Sequence, residues 1–275
     1  MLADQILPLL IPLIMTGIAS GFLAGLLGVG GGIVIVPILA YLLETSGIHS
    51  QTPMHVAIAS SLAIIVPTSL ISARAHYRLG NVDSAVIRRL GPFVFIGALG
   101  GAVVANGLDN SALKVLFGAL AVVIGVMFLV RVMALRNGLP ALAGRSVLGG
   151  AIGLISALVG IGGGSLTVPS LVSCGWEMRR AVGTSALMGL VISIPGMISF
   201  MVVGTGAVPD LNYSFGYVWA PAVLIIAGAA VVTTKLGAIV STKINQSQLR
   251  RVFGLFLMIV GTRLIYAGLI GLGVI

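Results

Sequence analysis

Charge is what this chain has least of. Only 8% of its 275 residues are Asp, Glu, Lys or Arg, 58% are hydrophobic, and the mean hydropathy is +1.19. A soluble domain carries roughly 25% charged residues, so a soluble enzyme or binding module is excluded and an integral membrane protein is indicated. Cysteine is nearly absent as well. The single Cys174 allows no intramolecular disulfide framework and no cysteine metal cage. The acidic residues number six, and Asp4, Glu44, Asp83, Asp109, Glu177 and Asp210 all fall at the ends of apolar segments or between them. A metal-cation pathway ordinarily needs an intramembrane carboxylate, so a cation substrate is disfavoured. There is no HExxH and no paired aspartate, and the three histidines (His49, His55, His76) sit near the ends of apolar runs. An intramembrane hydrolase is disfavoured in turn, and no enzyme activity, metal or cofactor is expected.

The net charge of +9 comes from basic residues in short loops. That is the positive-inside pattern of a membrane protein and does not indicate a nucleic-acid partner. The first apolar segment, from Ile6 to about Gly28, is preceded by Asp4 and by no lysine or arginine. It reads as a membrane segment, not a signal peptide.

Glycine, by contrast, is abundant, with 39 residues. Residues 28 to 37 read Gly-Val-Gly-Gly-Gly-Ile-Val-Ile-Val-Pro, and residues 160 to 169 read Gly-Ile-Gly-Gly-Gly-Ser-Leu-Thr-Val-Pro. Glycine costs backbone entropy in a helix, and proline removes a donor and crowds the preceding turn. Both runs nevertheless lie inside apolar stretches. Backbone that stops being helical in a bilayer must be buried in protein or line a cavity, because lipid satisfies no N–H or C=O group. Two such breaks at corresponding places point to a transporter's binding site.

Apolar stretches run roughly from 6 to 28, 33 to 43, 56 to 73, 90 to 106, 112 to 130, 146 to 159, 165 to 176, 181 to 203, 216 to 240 and 249 to 272. Those near 20 residues can cross a hydrocarbon core of about 30 Å. The two flanking the second glycine run would reach only about 21 and 18 Å as helices, so they are expected to be half-helices or short tilted ones. Gly17, Gly21, Leu26 and Leu39 match Gly149, Gly153, Leu158 and Leu171. Ala59-Ser60-Ser61-Leu62 resembles Thr184-Ser185-Ala186-Leu187, and Leu113, Phe117, Gly118 and Gly125 match Leu249, Phe253, Gly254 and Gly261. The sequence therefore divides into two homologous halves, 1–134 and 146–275, joined by a linker at 135–145.

Loop charges give their relative orientation. The loop from Glu44 to His55 has no Lys or Arg, the next has Arg74, Arg78, Arg88 and Arg89, and the one near Asp109 has only Lys114. The corresponding loops of the second half carry Arg179 and Arg180, then none between Gly204 and Phe215, then Lys243, Arg250 and Arg251. The pattern is reversed, so the halves are expected to lie inverted in the membrane, with the linker (Arg131, Arg136, Arg145) cytoplasmic and both termini outside. The segment between the linker and Arg179 then makes either no crossing or two. A re-entrant or V-shaped pair of short helices meeting at the glycines is favoured, with the first half built likewise although its leading helix is longer.

A helix that starts after a glycine run presents unpaired N–H groups and the positive end of its dipole. Two such starts facing one another would bind an anion without a buried arginine. The competing reading is close helix packing through small-xxx-small patterns such as Gly28-x-x-x-Gly32 and Gly160-x-x-x-Gly164. The expected ligands are backbone N–H groups around Gly30, Gly31 and Gly32 and around Gly162, Gly163 and Gly164. Ser60, Ser61, Ser165, Thr184 and Ser185 would support them. The second copy is the more polar, with Ser165 and Thr167 where the first has Ile33 and Ile35. For each hydroxyl a bond to its own helix, a cap or an interhelical bond stays equally open. Pro37 and Pro169 are expected to mark the helix break and not to bind. His55 and Arg180, at comparable places in the two halves, are candidate gate cations or plain interfacial residues. Cys174 reads as a buried small hydrophobe.

The paired GxGGGxxxVP motifs, the ASSLAIIVPTSL segment at 59 to 70, the AHYRLGNVD loop at 75 to 83 and the LxxxFGxxxxxxG stretches beginning at Leu113 and Leu249 resemble the TauE/SafE family of bacterial membrane transporters. The resemblance covers nearly the whole chain and implies export of sulfite or organosulfonates across the bacterial inner membrane. The combined expectation is an all-α polytopic membrane protein of two inverted repeats, each a Gly-rich broken or re-entrant helix pair plus three spanning helices. It would move a small sulfur-containing anion by alternating access. An anion channel and a non-transporting assembly factor are the alternatives. Beyond the anion and the lipid bilayer, a homo-oligomer is the one further partner left open.

Overall fold

The computed structural model describes residues 2–27, 30–46, 51–130, 138–240 and 246–274, without the side chains of 2–6, 27 and 246–250. Gly28, His49, Arg131, Arg136 and Lys243, used above, lie outside the described residues, as do the side chains of Asp4 and Arg250. Among the described residues the chain is all-α apart from one small hairpin. In order come α1 (Leu2–Leu27), α2 (Gly32–Thr45), α3 (Pro53–Arg78), α4 (Ser84–Asn106), α5 (Asn110–Leu129), α6 (Leu142–Leu158), α7 (Gly164–Ser173) and α8 (Met178–Val203). A hairpin, β1 (Ser214–Phe215) and β2 (Val218–Trp219), precedes α9 (Ala220–Val240) and α10 (Gln246–Gly271).

Seven helices, α1, α3, α4, α5, α8, α9 and α10, are long and apolar enough to cross a membrane. The protein is a multi-pass membrane protein. The other three flank the glycine runs: α2, α6 and α7 have 14, 17 and 10 residues. At 1.5 Å per residue they rise about 21, 26 and 15 Å, short of a core of about 30 Å. The short pair around the second glycine run is thus as the stretch lengths led one to expect.

The helices pair across the middle of the sequence. α1 packs on α9, α6 on α4, α3 on α8 and α5 on α10, while α2 lies on α3 and α7 on α8. Replacing each helix of the first five by its counterpart in the second five returns the same set of pairs. Small residues make these approaches, since lipid offers helices no hydrophobic drive to associate and close backbone packing must supply it. Gly17 and Gly21 of α1 abut Ile226 and Ala230 of α9, and their matches Gly149 and Gly153 of α6 abut Leu90 and Val94 of α4. In the last pair the relation is reciprocal. A Cβ on Gly118 would stand 2.6 Å from the Gly261 carbonyl oxygen, and one on Gly261 would stand 2.7 Å from that of Gly118.

The middle of the molecule is α3, with Ile58, Leu62 and Ile64 fully buried and α2, α8 and α9 around it. Its start has Pro53 in the first turn, where no N–H is needed. α4 and α5 begin at capping aspartates. Asp83 accepts the Ala85 and Val86 N–H groups at 3.0 and 3.3 Å, and Asp109 accepts that of Ala112 at 2.6 Å.

One expectation is corrected. Pro37 and Pro169 do not end or break a helix: each lies inside one, α2 and α7 respectively. The break sits at the glycines, where Gly30 and Gly31 take φ of 81° and 74°, a left-handed conformation that a β-carbon disfavours. Each proline instead deprives its helix of one bond, the one to the carbonyl of Ile33 or Ser165.

Candidate functional site

The two glycine motifs meet. A β-carbon on Gly30 would lie 3.0 Å from the Gly162 Cα, and one on Gly32 would strike the Gly160 carbonyl oxygen and stand 2.9 Å from Ser61 Oγ. Ser61 donates to that same Gly160 carbonyl at 2.9 Å, tying α3 to the second motif. On the far side, a β-carbon on Gly163 would stand 3.0 Å from the Gly189 nitrogen of α8, and one on Gly189 would stand 2.5 Å from Ser69 Oγ of α3. Neither α2 nor α7 has a side-chain cap at its start. Two helix N-termini with uncapped N–H groups therefore flank one glycine junction, the arrangement that favours negative charge.

The hydroxyls around it divide into two sets. Ser60 Oγ accepts the Trp219 N–H at 3.0 Å, and Thr184 Oγ1 accepts the Asp83 N–H at 2.9 Å. These are counterpart contacts, each binding the residue that leads into α9 or α4. Ser185 donates to the Val182 carbonyl at 2.7 Å, within its own helix. Ser60, Ser61, Thr184 and Ser185 are all fully buried, and each has an internal partner. Ser165 and Thr167 differ. Both are fully buried on α7, and neither hydroxyl has a hydrogen-bond partner among the described residues. An unpaired buried hydroxyl costs about 1–3 kcal/mol. The bond to its own helix that the sequence left open is not made by either.

Ser193 of α8 and Ser156 of α6 share this condition. The sequence reading missed both. In the register that the Ser60 and Thr184 contacts define, one residue from the alignment given above, Ser193 matches Ser69.

The two candidate gate residues lie at opposite ends of α4. His55 is buried at its C-terminal end, with Nε2 2.9 Å from the Ala105 carbonyl and its ring stacked on Tyr217 at 5.0 Å. Tyr217 donates to Asn106 Oδ1 at 2.9 Å, and burial raises its phenol pKa. Arg180 is at the N-terminal end, exposed, in a cavity of about 780 Å3 with Asp83, Trp176 and Glu177. There Trp176 donates its indole N–H to Asp83 Oδ2 at 3.0 Å, the chief cause holding this carboxyl below its usual pKa. The counterpart contacts of Ser60 and Thr184 shift the register by one residue from the alignment of Ser60 with Ser185 given above, and in it the counterpart of His55 is Arg179, not Arg180. The carboxylates of Asp83 and Asp109 cap helices, Glu44 pairs with Lys114 at 2.7 Å, and Cys174 is buried.

A family model described as "Sulfite exporter TauE/SafE" matches residues 13–264. The chain belongs to this family. A Haemophilus influenzae protein described as "Probable membrane transporter protein" is 37% identical over 251 residues, covering 90% of this chain and 94% of its own length. Methanocaldococcus jannaschii has one of the same description, 30% identical over 92% of this chain and 94% of its own length. A third, from Bacillus subtilis, is 29% identical over 94% of this chain and 97% of its own length. No solved structure matches the chain. As a member of the TauE/SafE family it is a membrane transporter.

Proposed function

We propose that this TauE/SafE protein is a secondary transporter of the bacterial inner membrane that moves a small sulfur-containing anion, sulfite or an organosulfonate, by alternating access. The observation that carries this reading is the pair Ser165 and Thr167, buried and without a hydrogen-bond partner among the described residues, on a helix that begins just after Gly160 and Gly162, the residues that touch the other glycine motif. A buried hydroxyl donor beside two helix N-termini suits the oxygens of an oxyanion, with Ser165 and Thr167 on different sides of α7, and no carboxylate among the described residues stands there to repel it. Gly30, Gly31, Gly32, Gly162, Gly163 and Gly164 supply close backbone approach. Ser60, Ser61 and Thr184 tie α3 and α8 to neighbouring segments, and Ser185 bonds within α8.

Alternating access would work the clusters at the two ends of α4 in turn: Tyr217 with Asn106 and His55 at one end, Asp83 with Trp176 and Thr184 at the other. The halves 1–134 and 146–275 would lie inverted, with the linker at 135–145 cytoplasmic and both termini outside. Purified protein in proteoliposomes, assayed with labelled sulfite, thiosulfate, sulfate and sulfoacetate, tests the substrate class. Flux of a sulfur oxyanion with trans-stimulation supports the reading. Flux without trans-stimulation makes the protein a channel, and no flux of any of the four removes the proposed substrate class.

A further inference from the structure

A second site lies away from the glycine junction, where the C-terminal end of α3 meets α9. A cavity of about 790 Å3 there is lined by Arg74, Arg78 and Lys235, with Ser72 and the apolar side chains of Ile71 and Ile239 among its walls. No acidic residue lines it, and none of the three cations has an acidic partner among the described residues. Ser72 is 3% exposed and its hydroxyl has no hydrogen-bond partner among the described residues. α3 has 26 residues. At about 39 Å it exceeds a hydrocarbon core of about 30 Å, so its last turns, which carry Arg74 and Arg78, reach headgroup depth. We propose that this cavity binds an anionic phospholipid, its phosphodiester held by Arg74, Arg78 and Lys235 and its glycerol ester region by Ser72.

The chemistry distinguishes a lipid from a small anion. Guanidinium groups match phosphate oxygens in two-pronged fashion, and the Lys235 ammonium adds a compact charge. Ser72 and Ile71 precede the arginines on α3 and so lie toward the membrane interior, where an ester and the first methylenes of a lipid follow its phosphate. Thr234, also in the wall, spends its hydroxyl on the Ala230 carbonyl at 2.6 Å, leaving Ser72 as the donor for the ligand. A free anion has no use for the apolar walls. The site is independent of what the transporter carries.

Native mass spectrometry of the full-length protein, with phosphatidylglycerol and phosphatidylcholine supplied in equal amounts, tests the proposal. Wild type should retain phosphatidylglycerol at least tenfold over phosphatidylcholine. The triple variant Arg74→Gln/Arg78→Gln/Lys235→Gln should lose that preference, and Ser72→Ala should weaken it severalfold. Arg88→Gln/Arg89→Gln/Arg179→Gln removes as many cations elsewhere and should retain it. Equal loss in this control, equal retention in the triple variant, or displacement of the lipid by inorganic phosphate at millimolar concentration would each overturn the proposal. If the triple variant does not insert, the exposed single change Arg78→Gln replaces it, with a threefold loss expected and no loss counting against the site.

Discussion

A β-carbon on Gly30 would stand 3.0 Å from the Cα of Gly162, so the two glycine motifs of this transporter form one junction. Gly30 also has φ of 81°. Gly30→Ala therefore meets two penalties: a left-handed conformation costing about 1–2 kcal/mol and a collision with the other motif. Gly80 has φ of 69° but nothing within 4 Å of a β-carbon, so Gly80→Ala meets only the first. Gly30→Ala should therefore lose more thermal stability in detergent than Gly80→Ala. Only Gly30→Ala should lose transport, by at least tenfold. Equal activity in the two would mean that the junction is not where substrate passes.

The two sets of hydroxyls respond oppositely to removal. Ser165→Ala and Thr167→Val each delete a buried hydroxyl that has no partner among the described residues, so stability should stay level or rise by about 1 kcal/mol. Transport should fall, with KM raised at least fivefold. Ser60→Ala deprives the buried Trp219 N–H of its acceptor and should cost about 1–3 kcal/mol, with Thr184→Ala costing less because Asp83 is half-buried. Chemical denaturation and initial uptake rates, measured on the four single variants, separate the roles. A stability loss in Ser165→Ala equal to that of Ser60→Ala would contradict the partition.

Acid should loosen one end of the molecule before the other. The Trp176 indole N–H and the first backbone N–H groups of α4 hold the Asp83 carboxyl below its ordinary pKa. A depressed folded value means that its contribution is complete above the unfolded value of about 3.9 and is lost as pH falls through the folded one. Asp83→Asn should be less stable than wild type at pH 7, and the gap should close as pH falls below about 4. Thermal unfolding across that range reads the gap directly. A constant gap would assign the loss to something other than ionisation.

Much of this was written in the glycines. A helix start after each run, short helices beside the second one, and the matched packing of Gly17 with Gly149 or Gly118 with Gly254 all follow from where a β-carbon cannot go. The prolines misled, because proline's local preference against a helix interior gives way when the rest of the turn is buried against α3 or α8. Which hydroxyls are engaged was not legible either. Ser60 and Thr184 find their partners in Trp219 and Asp83, far away in sequence, and Ser165 shows its lack of one only once its neighbours are in place.

Inverted halves require α3 and α8 to cross the membrane in opposite directions. The sites that read this out are exposed residues just beyond each helix: Gln51 and Leu79 for α3, Glu177 and Asn212 for α8. Cys174 is buried and is the sole cysteine, so Cys174→Ala gives a silent background for single-cysteine variants. The loop charges place Gln51 and Asn212 outside and Leu79 and Glu177 inside. Gln51→Cys and Asn212→Cys should react with a membrane-impermeant maleimide in intact cells, whereas Leu79→Cys and Glu177→Cys should react only after permeabilisation. Labelling of Gln51→Cys together with Glu177→Cys would make the two helices parallel. The glycine starts of α2 and α7 could then no longer converge from opposite faces on one anion, and the proposed site would fall with the topology.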